Sequence, residues 1–236
     1  MATVSNGLKH NTLAALASVA LMASLAACSA GDDEQLTVTP TLYDIAEVTE
    51  LTDEHTVFTV YQPDADEPAT LTAAGRIFSD DSEVEVGNSV FMAYTPAAGK
   101  AYVNSDITVQ AWARTMNLAL LQSSVDALTG WDKDPVWINS LWRAGNKIIV
   151  RAMLTYDTEP RTFALVLDKE TLRDEYPEAY LVHYRSTDTD NFRRQYYAAF
   201  DVANLWTYAT CRGLRIHVNN SNVTSATLFV VDNPNK

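Results

Sequence analysis

Cysteine is nearly absent from this chain, positive charge is scarce, and a long apolar run is missing. Only Cys28 and Cys211 occur in 236 residues, so no multi-disulfide framework can staple the fold. Seventeen Lys and Arg stand against thirty Asp and Glu, a net charge of −13. Nucleic acid is therefore excluded as a partner, because its binding rests on Lys and Arg neutralising phosphates. Glycine and proline number eight each, too few for a low-complexity or collagen-like chain. After Cys28 no stretch approaches the roughly eighteen apolar residues of a membrane-spanning helix. What the chain does have is 47% hydrophobic and 10% aromatic residues, enough to bury proper cores.

The first 27 residues are laid out as an export signal. Met1 to His10 is polar with Lys9 as its firm positive charge, and Thr12 to Ala27 is rich in Ala, Leu, Val and Met. That layout is a cleaved signal, too short for a permanent span. It ends in Leu25-Ala26-Ala27-Cys28, which resembles a bacterial lipobox. In that resemblance Cys28 becomes the lipidated first residue of the mature chain. At least two acyl chains on one cysteine suffice for stable anchoring, since each buried CH₂ contributes about 0.8 kcal/mol. The membrane is thus a partner through the N-terminal lipid. Cys211 is left without an intramolecular partner, and its setting, Thr210-Cys211-Arg212, reads as a half-buried structural thiol.

Residues 28–36 form an acidic tether carrying Asp32, Asp33 and Glu34. From Cys28 to Ala113 sixteen acids face only Arg76 and Lys100, whereas from Arg114 onward fourteen acids meet fourteen bases. Such an asymmetry indicates two domains with different surfaces. In 37–113, five runs rich in β-branched and aromatic residues read as strands: Leu42 to Leu51, Thr56 to Tyr61, Ala69 to Ile77, Val84 to Tyr94 and Ile107 to Trp112. Gly87, inside the fourth, marks a bulge or bend. Five strands over this length suit a small barrel. Over 114–134, Leu118, Leu120, Leu121, Val125 and Leu128 recur at mixed helical spacing before Gly130, which reads as a helical linker. Seven further strands fill 135–233, with Gly145-Asn146 as a hairpin turn able to take positive φ. They predict a seven-stranded β-sandwich. The fold class is all-β.

The chemistry of catalysis is hard to find. His55, His183 and His217 are too scattered for a zinc motif and read as polar surface or strand residues. Gly87-Asn88-Ser89-Val90-Phe91 lacks the second glycine of a nucleophile elbow. Thr187 to Asn191 spaces Asp188 and Asp190 like a calcium loop but lacks the glycine and closing glutamate. No metal and no cofactor are expected. The same loop runs into Phe192, Arg193 and Arg194, and a hairpin tip with both charges and an aromatic is a candidate partner contact. Trp131, Trp137, Trp142 and Trp206, with Tyr156, Tyr180, Tyr184, Tyr196 and Tyr197, make the second domain aromatic-rich. They either pack in the core or form a carbohydrate-binding face. Two carboxylates about 5–10 Å apart in a deep cleft would point to a hydrolase; a flat aromatic face would point to binding.

The lipobox and acidic tether, the segment from Ala74-Gly75-Arg76 to Trp112 with its VGNSVFMAYTP stretch, the Asp134-Pro135-Val136-Trp137-Ile138 restart and the closing Leu228-Phe229-Val230-Val231 strand resemble the NigD-like lipoproteins of Bacteroidetes. The resemblance implies an N-terminal OB-type barrel and a C-terminal β-sandwich. It also implies that the acids behind Cys28 act as a sorting signal to the outer face of the outer membrane. Beginning four residues after the cysteine, Asp32 leaves the periplasmic face as the alternative. The expectation is a non-enzymatic, lipid-anchored accessory or binding protein with a protein or glycan partner. The alternatives are a carbohydrate-binding component of a glycan-uptake system, a bacteriocin-associated immunity-type protein and, behind these, a carboxylate-pair hydrolase.

Overall fold

The computed structural model describes residues 40–155, 161–185 and 192–236. The signal segment, Cys28 and the tether acids Asp32, Asp33 and Glu34 lie outside them, as do Tyr156, Asp188 and Asp190.

Five strands close a barrel: β1 (Leu42–Leu51), β2 (His55–Tyr61), β3 (Pro68–Ala74), β4 (Ser89–Pro96) and β5 (Ser105–Arg114), in the order β1-β2-β3-β5-β4. The β3–β5 pair is parallel and the other neighbours are antiparallel. Strand alternation decides which side chains fill it. In β2, Thr56, Phe58 and Val60 point inward, and in β3 Ala69, Leu71 and Ala73 do. Small Ala46, Ala69 and Ala73 leave room for Phe58, Met92 and Tyr94 in one core, the mixture of sizes a narrow barrel requires. Phe78, from the β3–β4 connection, is buried with Phe58 and Trp112 edge-on to it at 5.9 and 5.0 Å.

The expected helical linker is instead mostly strand. β6 (Met116–Ala119) and β7 (Leu121–Ser123) occupy it, followed by a 3₁₀ turn at Val125–Leu128. Met116, Leu118 and Leu120 are half-buried and alternate with exposed Asn117, Ala119 and Leu121, a period of two that the Leu120-Leu121 doublet obscures. β6 pairs in parallel with one sheet and β7 with the other, so the segment ties the two sheets along one side.

The remaining strands are β8 (Trp137–Ala144), β9 (Lys147–Thr155), β10 (Thr162–Asp168), β11 (Glu178–Tyr184), β12 (Arg193–Asp201), β13 (Gly213–Val218) and β14 (Leu228–Asp232). They form a four-stranded sheet, β6-β12-β9-β8, and a five-stranded sheet, β14-β13-β11-β10-β7. Among the described residues the second part therefore has nine strands rather than seven, the two extra coming from the supposed linker. Ile138, Ile148, Val150, Phe163, Leu165, Phe200 and Ile216 fill the space between the sheets. Of the tryptophans noted above, Trp206 alone is buried in this core. Cys211 is fully buried rather than half-buried; burial pushes its thiol pKa up, and its Sγ lies 3.3 Å from the Gly213 carbonyl it donates to. Gly87 falls in the turn before β4, not within a strand, with φ of +91°. At the β8–β9 turn only Gly145 takes positive φ, +56°.

Candidate functional site

Barrel and sandwich belong to one compact unit, and the way they meet creates the site. The outward face of β1 and β4 lies against the outward face of the four-stranded sheet. In β4, Val90, Met92 and Tyr94 point into the barrel, so Phe91 points out; in β9, Val150 and Ala152 face the sandwich core, so Arg151 faces the barrel side.

At one end the β8–β9 hairpin closes this junction. Arg143 and Lys147 flank its turn, and they are 3% and 7% exposed. Burying a cation is tolerable only when its donors are used, and here they are. The Lys147 ammonium donates to the Gly87 carbonyl, to Ser89 Oγ at 3.3 Å, and pairs with Glu47 at 3.3 Å. Arg143 pairs with Asp66 and donates to the Asp64 carbonyl at 3.3 Å. The Arg143 and Asp64 backbones close a reciprocal pair: Arg143 N–H donates to Asp64 Oδ1 at 3.0 Å and Asp64 N–H to the Arg143 carbonyl at 3.1 Å. Between the cations, Gly145 lies under the Tyr61 ring, where a Cβ would come within 2.6 Å of it. Asn117 of β6 adds a second bracket, accepting from Ser89 N–H at 2.6 Å and donating to the Ser89 carbonyl at 3.0 Å.

At the other end the same two faces diverge into a cleft of about 620 Å³, within the range of small-molecule sites, which favour such junctions. An aromatic row runs across the boundary: Tyr43 stacks on Phe91 with centroids 6.3 Å apart, and Phe91 stacks on Tyr197 at 4.6 Å with rings 11° from parallel. Tyr43 keeps 65% of its surface exposed. Trp142 and Ser140 of β8 and Arg151 of β9 line the sandwich side, and Tyr102 from the β4–β5 loop lines the barrel side. The Arg151 guanidinium donates to Gln195 Oε1 at 3.2 Å.

Two carboxylates border the cleft. Asp44 accepts from the Tyr94 hydroxyl at 2.7 Å and the Tyr102 hydroxyl at 3.1 Å. Burial raises its pKa above the ordinary carboxylate value, and the two tyrosine hydrogen bonds oppose that rise without cancelling it. The same contact, after burial, helps push the Tyr102 hydroxyl up to about 12. Asp64 is the second, its Oδ1 taken by the Arg143 N–H. Asp64 and Tyr102 also hold positive φ, at +59° and +53°. A bulky side chain there is a backbone outlier, a conformation that clusters at ligand clamps and switch regions.

Of the expected partner-contact residues, Phe192, Arg193 and Arg194 are among the described residues. Phe192, 67% exposed, and Arg193 and Arg194 at the start of β12 do not line the cleft; Arg193 lies over the Trp137 ring at 5.5 Å. The three histidines separate in kind. His55 pairs with Glu50 at 3.0 Å and His217 with Glu178 at 2.7 Å at partly exposed positions. His183 is a core residue, 2% exposed, its Nδ1 3.3 Å from the Asp134 carbonyl and its Nε2 without a hydrogen-bond partner among the described residues. Burial lowers its pKa. Among the described residues no cluster of His, Cys, Asp and Glu is arranged to hold a metal. Of the cleft residues, the aromatic richness of the second domain drew attention to Trp142 and Tyr197. Tyr43, Asp44, Phe91 and Tyr102 carried no local signal.

A closed five-stranded barrel of OB type packed against a two-sheet sandwich, with a cleft where they meet, defines an all-β class of protein. No family model matches the chain, and no curated protein does. Solved structures do match. A Bacteroides vulgatus protein of unknown function, DUF1344, is 14% identical with a TM-score of 0.61, over 82% of this chain and 90% of that one. A NigD-like immunity protein from Bacteroides caccae is 14% identical with a TM-score of 0.52, over 80% and 90%. A candidate lipoprotein from Bacteroides fragilis is 10% identical with a TM-score of 0.56, over 82% and 98%. The resemblance to NigD-like proteins therefore holds at the level of the fold. Among the described residues, no helix is long and apolar enough to cross a membrane.

Proposed function

We propose that the protein is a lipid-anchored, non-catalytic accessory component of the cell envelope that holds a ligand in the cleft between barrel and sandwich. The observation that carries the reading is the aromatic row of exposed Tyr43 and half-buried Phe91 and Tyr197 lining an open cleft. Both carboxylates at the cleft are engaged in holding the protein's own loops: Asp44 holds Tyr102 and Asp64 holds the β8 backbone. A hydrolase would need a carboxylate pair free to exchange protons with substrate and water, and binding makes no such demand. The lipobox at Cys28 and a neighbour described as a candidate lipoprotein support the anchor. Asp32, Asp33 and Glu34 support display on the outer face of the outer membrane.

Three measurements test these statements. Cys28→Ser abolishes incorporation of labelled palmitate; retained label removes the anchor. Protease added to intact cells digests the protein; resistance until the outer membrane is opened removes surface display. Hydroxyl-radical footprinting finds Tyr43 and Tyr102 protected in intact envelopes relative to purified protein; equal reactivity removes the binding reading.

A further inference from the structure

We propose that the cleft binds a neutral oligosaccharide segment, a ligand class that rests on the binding reading and makes it specific. The lining asks for a ligand with two kinds of surface. Aromatic faces carry negative potential and favour flat surfaces of slightly positive C–H groups, while Asp44, Asp64 and Arg151 of the lining offer carboxylate and guanidinium groups suited to hydroxyls. A pyranose ring has both, a C–H face and an equatorial belt of hydroxyls. Tyr43 and Trp142 stand on the two domains and Arg151 on the sheet floor between them, so a sugar laid on either ring keeps its hydroxyls within the polar part of the cleft.

The same residues argue against other ligands. A polyanion meets Asp44 and Asp64 in the lining, on a barrel segment, 37–113, in which thirteen acids face two bases, a field that repels phosphate and sulfate esters. A peptide adding as a strand would need free main-chain groups along the edge strand β8. That edge is capped at both ends: Ile138 N–H donates to Asn220 at 3.1 Å and its carbonyl accepts from Asn222 at 2.7 Å, while Arg143 is paired with Asp64. An apolar small molecule would want enclosure, and this cleft is open at its mouth.

Pre-organisation is the remaining requirement, since ordering long side chains on binding subtracts from affinity. Tyr102 is held at positive φ with its hydroxyl on Asp44, Asp64 is held at positive φ by the Arg143 backbone, and the buried hairpin fixes the two domains. The walls are set before the ligand arrives.

The test is calorimetric titration of the purified lipidated protein in detergent with maltohexaose, cellohexaose, xylohexaose and mannohexaose, and with hexagalacturonate as an anionic control. At least one neutral hexaose binds, Tyr43→Ala and Trp142→Ala each weaken it at least tenfold with the melting temperature unchanged, and hexagalacturonate does not bind. No heat with any neutral hexaose, or binding that survives both substitutions, overturns the proposal. If it falls while Tyr43 and Tyr102 stay protected in intact envelopes, the ligand is of another class; if that protection is also absent, the cleft is not a binding site.

Discussion

The two ends of the barrel–sandwich junction share β1, β4, β8 and β9 and have opposite characters. At the sealed end, two cations are buried among carbonyls and carboxylates of the barrel, and a glycine lets the Tyr61 ring lie on the hairpin turn. At the open end, aromatic rings and two carboxylates face a cleft of about 620 Å³. A cleft between domains persists only if the domains keep their angle, and in many proteins such interfaces are polar and mobile. Here buried Arg143 and Lys147, on the sandwich, bind barrel groups. Their carboxylate partners stay in contact with water, so each pair adds little net stability and serves to match the two surfaces.

Removing a cation from the sealed end has the largest expected effect. Lys147→Ala leaves Glu47, Ser89 and the Gly87 carbonyl without their shared donor, and stranding these acceptors costs about 2–3 kcal/mol. A chemical-denaturation midpoint checks it; a loss under 1 kcal/mol would mean that water replaces the ammonium and that the joint is looser than its geometry implies. Gly145→Ala comes next. It places a Cβ at positive φ and 2.6 Å from the Tyr61 ring, and the strain and ring displacement together cost about 1–2 kcal/mol. Tyr61→Ala in the same chain recovers part of the loss, leaving only the backbone strain.

Tyr43→Ala, at the open end, sharpens the comparison from the other side. The side chain is largely exposed, so stability changes by no more than about 0.5 kcal/mol, while ligand protection of the cleft is lost. A large stability loss would reassign the aromatic row to structure. A further contrast lies in the sandwich core at His183. Its folded pKa is depressed by burial below 6.5, so the unfolded chain takes up the proton first. The folded protein then loses stability as pH falls from about 6.5 toward the folded value. His183→Leu flattens that part of the stability curve, measured as melting temperature against pH.

Much of the fold is legible in sequence because alternation and burial coincide. β1 is bounded correctly at Leu42 and Leu51, and the seven strands expected after Pro135 are all present within a few residues. β6 and β7 were misread because Leu118, Leu121, Val125 and Leu128 mimic a helical stripe, whereas the parallel pairings that make them strands involve residues some 45 to 80 positions away. The cleft was illegible for the same reason. Tyr43, Phe91, Trp142 and Tyr197 come from strands far apart in the chain, and only the closed barrel and the buried hairpin bring them together. One trace of the junction is local in sequence: Arg143 and Lys147 flank a tight turn between apolar runs, and charges in that place must find partners outside the hairpin.

The smallest effect concerns the carboxylate at the mouth. At the sealed end Glu47 and Asp66 are ion-paired, whereas Asp44 has two phenol hydroxyls as its hydrogen-bond donors. Its folded pKa is above 3.8 because burial outweighs those hydrogen bonds. The folded state therefore binds the proton more readily than the unfolded one, and its contribution to stability is full below pH 3.8 and is lost as pH rises through the folded value. Asp44→Asn removes the charge and keeps an oxygen to accept from Tyr94. The melting temperature of the variant should equal the parent's at acid pH and exceed it slightly at neutral pH. If the parent is instead the more stable protein at neutral pH, the tyrosine hydrogen bonds dominate over burial. Asp44 would then be a stabilised anion, and the mouth of the cleft would favour a cationic ligand over a neutral one.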